Sequence, residues 1–295
     1  SYNEFLKMPE GEYRCFIKSN LKKGNLNIID AVFPGELSNE IFFSSYLCHP
    51  SMANNELSGP VLITELIKYI KSISPTKNSY RFVLLPETIG SIAYLSKKLD
   101  ELKKNVIAGF NLSCVGDERR YTHLKSRMGN TLADKALESA LKDKENVFTK
   151  SFLERGSDER QYNSPGINLP LCGFSRSKFG DFKEYHTSLD NLNLVTEKGL
   201  KDSFYVMKNI IDAFEIGLYP VATNFCEPQL GKRGLYPSIG GQLKQNSNKD
   251  NNDDDNSERT LSAINWLMYL CDGKNDILDI AERQDLLSQL LRPVD

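Results

Sequence analysis

The stretch IFFSSYLCHPSMANNELSGPVLITELIKYI, residues 41–70, changes its periodicity halfway along. Ile41 to Leu47 is a short β-rich run, mostly apolar, the composition of a strand buried on both faces. The polar loop HPSMANNELSG (49–59) follows it. Leu57, Val61, Leu62, Leu66, Ile67 and Ile70 then recur at helical spacing. Strand, loop and amphipathic helix in that order predict a crossover unit feeding a parallel sheet. In such sheets ligands bind at the carboxyl ends of the strands, which is where this reading puts His49.

The same unit recurs on the C-terminal side. YRFVLL (80–85) reads as a strand, PETIGS (86–91) as a loop and Ile92 to Lys104 as a helix. NVIAGFNL (105–112) is the next strand, followed by SCVGDERR and a helix from Asn130 to Lys144. INLPLCGF (167–174) is another buried strand. Leu200, Phe204, Met207, Ile211 and Phe214 form one face of a helix over Glu197 to Ile216. On the N-terminal side, YRCFI (13–17) and LNIIDAVF (26–33) read as further strands, punctuated by Gly24 and Pro34-Gly35. The fold class is α/β: a mostly parallel, mixed sheet flanked by helices.

Uncommon polar residues fall at the strand ends repeatedly: His49, Glu87 and Asp117, with His186 in the loop after strand 167–174. Two imidazoles with one or two carboxylates are the donor set that suits a zinc ion, and a further carboxylate can take a proton from water. Glu87 and Asp117 can equally serve as helix-capping or first-turn carboxylates. His123, inside the polar run RRYTHLKSR, reads as a surface residue.

Composition narrows the function classes. A net charge of −2 with Lys and Arg spread along the chain offers no basic face for nucleic acid or a membrane surface. The six cysteines form no CxxC pair and mostly adjoin apolar runs, as buried reduced thiols of a cytoplasmic protein would. Leu243 to Ser257 is polar and of low complexity, the composition of a disordered linker. Beyond it, Leu261, Ile264, Leu267, Met268 and Cys271 share a helical face, and Ile277 to Leu291 continues as helix.

Five motifs, taken in order, resemble the aminopeptidase-type zinc exopeptidases. CHPSMANNELSG (48–59) is similar to their metal loop, and PETIGS (86–91) to the segment carrying their general base. GFNLSCVGD (109–117) is similar to the strand that supplies an Asp ligand. RGSDERQY (155–162) and YHTSLDN (185–191) resemble their Ser-Asp and closing His-Thr segments. A bacterial branch associated with cell-surface polysaccharide biosynthesis is closer still, sharing MPEGEYRCFIKSNLKKGNL (8–26), CEPQLGKRGLYP (226–237) and a C-terminal winged-helix-like module. The resemblance implies four parts: 1–36 as the remnant of an inserted β-subdomain, 37–225 as the aminopeptidase-like domain, 226–257 as loop and linker, and 258–295 as the winged-helix-like module. It also implies that such proteins begin well upstream of Ser1.

The sequence departs from that family where two metals would be bridged. Asn55, followed by Glu56, stands at the position of the bridging Asp, and a neutral amide is a poor bridge between dications. Thr88 replaces a ligand Glu and Ser113 a ligand Asp. The resemblance therefore implies one divalent zinc held by His49, His186 and a carboxylate, Asp117, with Glu87 as general base or, alternatively, as a ligand. Asn55, Arg155, Asp158, Arg160 and Tyr162 are expected along the substrate wall, the arginines clamping a carboxylate or phosphate or else pairing with Asp158 and Glu159. The expected activity is hydrolysis of an amide in a small amino-acyl or N-acyl substrate. Alternatives are a non-catalytic binding or scaffold protein of surface-glycan assembly, and glutaminyl cyclase chemistry on the same fold. From Ser257 to Asp295 four Lys or Arg face seven Asp or Glu, so the module is expected to contact protein rather than DNA.

Overall fold

The computed structural model describes residues 2–223, 226–233 and 251–283. Contacts divide the chain into two units, Ser1–Lys208 and Asn209–Asp295.

The first unit contains a seven-stranded mixed sheet. Its strands are β1 (Ile29–Phe33), β2 (Glu40–Tyr46), β3 (Ser79–Leu85), β4 (Val106–Leu112), β5 (Tyr121–Leu124), β6 (Val147–Lys150) and β7 (Leu171–Ser175), in the order β1-β3-β2-β4-β7-β5-β6. The central run β3-β2-β4-β7 is parallel, while β1 and β5 join their neighbours β3 and β7 antiparallel. The helices are α1 (Tyr2–Phe5), α2 (Ser58–Ile73), α3 (Ile89–Asn105), α4 (Leu132–Leu141), α5 (Glu159–Tyr162) and α6 (Glu197–Ile216), the last crossing into the second unit.

Strand β2 is buried over its whole length because both faces are covered. On one face Phe43 stacks between Phe82 and Phe110 of the neighbouring strands, at 5.3 and 5.5 Å between ring centres. On the other, Phe42 meets the Tyr162 ring edge-on at 5.2 Å within a core that includes Val83, Leu95, Leu102 and Leu171. Gly59 lets α2 approach β2 and β4. A Cβ there would lie 2.1 Å from Ser45 Oγ and 2.7 Å from the Leu112 carbonyl oxygen. Arg81 of β3, fully buried, donates to Asp30, Glu40 and Glu101 and so fastens the edge strand β1.

Three expectations are corrected here. YRCFI (13–17) is not a strand: Tyr13, Phe16 and Ile17 are exposed, and β propensity without a neighbouring ladder fixes nothing. Strands β5 and β6 escape periodicity because each has four residues flanked by charge, and His123 on β5 is buried rather than superficial. Among the cysteines only Cys114 and Cys172 are buried, Cys15, Cys48 and Cys226 are exposed, and no described cysteine forms a disulfide.

In the second unit, Asn251–Leu270 forms α7 and Ile277–Glu282 forms α8. Helix α7 starts inside the expected 243–257 linker. Residues 234–250 of the expected 226–257 loop and linker, and 284–291 of the expected last helix, lie outside the described residues. Asp276 caps α8 by accepting from Asp279 N at 2.8 Å, and Val221 bridges to Asp272. No helix among the described residues is long and apolar enough to cross a membrane.

Candidate metal centre and active site

Because β3, β2, β4 and β7 are parallel, their carboxyl ends share one edge of the sheet, and the polar residues predicted there converge on it. His49 follows β2 by three residues and Glu87 follows β3 by two. Glu87 Oε2 stands 3.8 Å from His49 Nε2, and Glu56 Oε2 stands 3.8 Å from His49 Nδ1. The His186 ring lies 5.2 Å from that of His49. Glu87 thus faces one nitrogen of His49 and Glu56 the other, with Cys48 Sγ 3.2 Å from Nδ1 and the His186 ring alongside.

Each is held by local structure. His186 adopts a positive φ of 55°, which turns its ring out of the loop, and Tyr185 stacks on that ring at 3.9 Å. Tyr185 in turn packs on the small core of Cys114, Phe182 and Leu194. Glu56 rides on a five-residue π-turn, Ala53–Leu57, closed by the Leu57 N–H donating to the Met52 carbonyl at 3.4 Å. Isolated π-turns of this kind are frequent at functional sites. Asp190 supports the turn from below, its Oδ1 and Oδ2 accepting from Asn54 N at 2.6 Å and Asn55 N at 2.9 Å.

The Glu87 turn is secured at successive N–H groups. Glu87 N donates to Cys48 Sγ at 3.2 Å, Thr88 N to Asp158 Oδ1 at 2.7 Å, and Ile89 N to the Glu87 carbonyl at 2.7 Å. Asp158 has no exposed surface, and burial, reinforced by Glu87 and Glu159, pushes its carboxyl up to about 7 despite the hydrogen bonds from Ser91 and Thr88. Burial likewise raises the Glu56 carboxyl and the Cys48 thiol above their ordinary values.

The structure distributes the expected site residues unevenly. It brings His49, Glu87 and His186 together and adds Glu56, which the expected ligand set omits. The signal for Glu56 was in the sequence: a carboxylate directly after Asn55, in the loop whose family counterpart binds metal. Asp117 is buried and serves as an internal acceptor instead. Its Oδ1 accepts from Ser177 Oγ and Arg119 N, and its Oδ2 from Ser177 N and Asn54 Nδ2, at 2.8 to 3.1 Å. The Asn55 amide meets the Tyr46 hydroxyl at 3.3 Å.

On the expected substrate wall, Tyr162 is fully buried with its hydroxyl 2.9 Å from Ser44 Oγ, a core position with no open face. Arg155 lies over the Phe152 ring and donates to the Leu153 carbonyl. Arg160 donates to Thr88 Oγ1 at 2.6 Å, and Glu159 accepts from Gly156 N, Ser157 N and Asn111 Nδ2, so neither arginine pairs with Asp158 or Glu159.

Elsewhere, His123, Asp134 and Cys172 form a buried group whose ligand atoms all lie within 4.8 Å. Asp134 there already accepts from His123, from Ser126 N and Oγ, and from Thr131 N and Oγ1, which caps α4 and holds β5. Through these bonds Asp134 locks α4 to β5.

Comparison with known proteins agrees with this architecture. The family described as a domain of unknown function, DUF4910, matches residues 7–217, and a winged helix-turn-helix family matches 218–294. A Clostridium acetobutylicum protein, named as a candidate polysaccharide biosynthesis protein with an aminopeptidase-like domain, is 40% identical over 96% of this chain and 62% of its own length. A crystal structure of a candidate peptidase from C. acetobutylicum is 37% identical with a TM-score of 0.75, over 90% of this chain and 56% of that one. This chain thus spans about three fifths of the relatives it matches. A zinc aminopeptidase from Bacillus subtilis, 16% identical with a TM-score of 0.52, shares the fold over 60% of this chain and 47% of its own.

Proposed function

This chain belongs to the DUF4910 family, and from that premise we propose that its α/β domain is a metal-dependent amide hydrolase built on a single zinc site. The proposed substrate is a small amino-acyl or N-acyl compound of surface-polysaccharide biosynthesis, a setting supported by the name of the 40% identical relative. One observation carries the reading: His49 stands between Glu56 and Glu87, at 3.8 Å from each, with His186 beside it.

The donors fit a zinc ion. Imidazole nitrogens and carboxylate oxygens are the set this borderline metal takes. Glu56 Oε2 is buried and has no hydrogen-bond partner among the described residues, a costly state for a carboxylate oxygen unless a cation meets it. His49, His186 and Glu56 are the residues proposed to hold the ion, with Asp117 acting one step back through Asn54. A second ion lacks its bridge, because Asn55 is neutral and turned to Tyr46.

When bound, such an ion supplies Lewis acidity that polarises a carbonyl and acidifies water. The chain's own part in hydrolysis falls to Glu87. Its Oε2 takes the proton that the attacking water releases and returns it to the leaving nitrogen. The fixed turn beneath Glu87 keeps that oxygen at a constant distance from His49, and the Tyr185 stack fixes the facing imidazole. The C-terminal module, with its acidic balance from Ser257 to Asp295, is proposed to engage protein.

A screen of aminoacyl-nitroanilides and N-acyl amino sugars, with and without zinc, tests the reading. Zinc-dependent turnover that Glu87→Gln abolishes while zinc stays bound supports it. A protein that binds zinc and turns over neither class would favour the non-catalytic scaffold.

A further inference from the structure

Thr88 is the most constrained residue of the site. Its φ of 64° and ψ of −66° put a β-branched side chain in the γ-turn of positive φ, closed by the bond from Ile89 N to the Glu87 carbonyl. Such a conformation is rare, costs on the order of 1–3 kcal/mol, and persists only where the surroundings impose it.

The surroundings here are two side chains from one short segment. Asp158 Oδ1 accepts from both Thr88 N and Ser91 Oγ at 2.7 Å, and Arg160 Nη2 donates to Thr88 Oγ1 at 2.6 Å. The segment is itself anchored, because Glu159 between them accepts from Asn111 Nδ2 of β4 at 2.9 Å. Asp158 has no exposed surface, and its second oxygen has no partner. A residue placed so cannot form a wall against substrate, and a carboxyl is kept there at the cost of burial.

We propose that Asp158, assisted by Arg160, is a positioning residue that clamps Thr88 in its strained turn and thereby aims the Glu87 carboxylate at His49. The proposal rests on the metal-site reading for its functional consequence, but the clamp itself does not. Relaxing Thr88 to a negative φ would redirect the peptide that follows Glu87, and a catalytic carboxylate tolerates displacement of only about 0.5 Å.

Two experiments separate the clamp from the metal reading. The first measures zinc-dependent turnover by the parent, Asp158→Asn and Asp158→Ala proteins, with the zinc content of each determined alongside. An Asn oxygen can accept both bonds that Oδ1 accepts now, so Asp158→Asn is expected to turn over within about threefold of the parent, and Asp158→Ala at least tenfold more slowly at equal zinc content. Equal impairment of both variants, or of neither, would overturn the proposal. The second needs no metal and measures chemical denaturation of Thr88→Gly in the parent and in Asp158→Ala. Glycine relieves strain only while the clamp enforces it, so the substitution is expected to be more favourable in the parent. An identical effect in both backgrounds would overturn the clamp. Absence of zinc binding in the parent would sink the metal reading and leave this second result decisive.

Discussion

The Asp190 carboxylate accepts the Asn54 N–H at 2.6 Å, joining the loop that presents His186 to the turn that presents Glu56. The two loops lie more than a hundred residues apart in the chain, yet their relative placement depends on this carboxylate and its second bond, to Asn55 N. Charge-assisted hydrogen bonds to buried backbone are worth ~1.5–3 kcal/mol each. Asp190→Ala should therefore destabilise the protein by roughly 3 kcal/mol in urea melts and weaken zinc binding further than that loss of folding explains. A stability change below about 1 kcal/mol would show that the loops are held by something else.

Asp158 gives a pH signature. Its folded-state carboxyl lies at about 7, above the unfolded value, so the native protein holds a proton that the unfolded chain releases above about pH 4. Stability from this group is therefore present at low pH and is lost as pH rises from about 4 to about 7. Asp158→Asn, neutral throughout, should gain on the parent across that window, the gap levelling above it. Denaturation of both proteins at matched pH values checks this, and a gap independent of pH would contradict it.

Tyr162 separates core from substrate wall. Removing its hydroxyl leaves Ser44 Oγ short of a partner inside the core, so Tyr162→Phe should cost about 1 kcal/mol in denaturant melts. Zinc affinity and any hydrolytic rate should be unchanged. A rise in KM at constant stability would restore Tyr162 to the substrate wall.

Gly59 tests the packing that sets His49 and Glu56 on one edge. An alanine Cβ would overlap the Leu112 carbonyl, which cannot move without shifting β4, and Ser45 Oγ, which can rotate away only by giving up its bond to that carbonyl. Gly59→Ala should destabilise by roughly 2–4 kcal/mol, read as a lowered melting temperature. A melting temperature equal to the parent's would mean that α2 packs more loosely than described.

Much of this was legible in the sequence, for identifiable reasons. Residues 41–70 carry two clean periods, so β2 and α2 could be read directly, and the ends of β2 and β3 located His49 and Glu87. Short strands were not legible: YTHL and VFTK hold four residues each, too few to show alternation among the surrounding charges. His123 was misread for the same reason. Asp117 had the right residue type near the right strand end, but hydrogen bonds from Ser177, Arg119 and Asn54 claim its oxygens, and no one-dimensional pattern reports that. Glu56 needed the π-turn to bring it to His49, and the phase of such a turn is not that of the helix that follows.

The proposed zinc ion is held by His49, Glu56 and His186, beside Glu87. Elemental analysis of the purified protein after zinc loading and desalting, with His49→Ala, Glu56→Gln and His186→Ala in parallel, tests it most directly. About one zinc per chain is expected in the parent, lost from both histidine variants and weakened in Glu56→Gln. Zinc absent from the parent, or retained at full stoichiometry in both histidine variants, would contradict it.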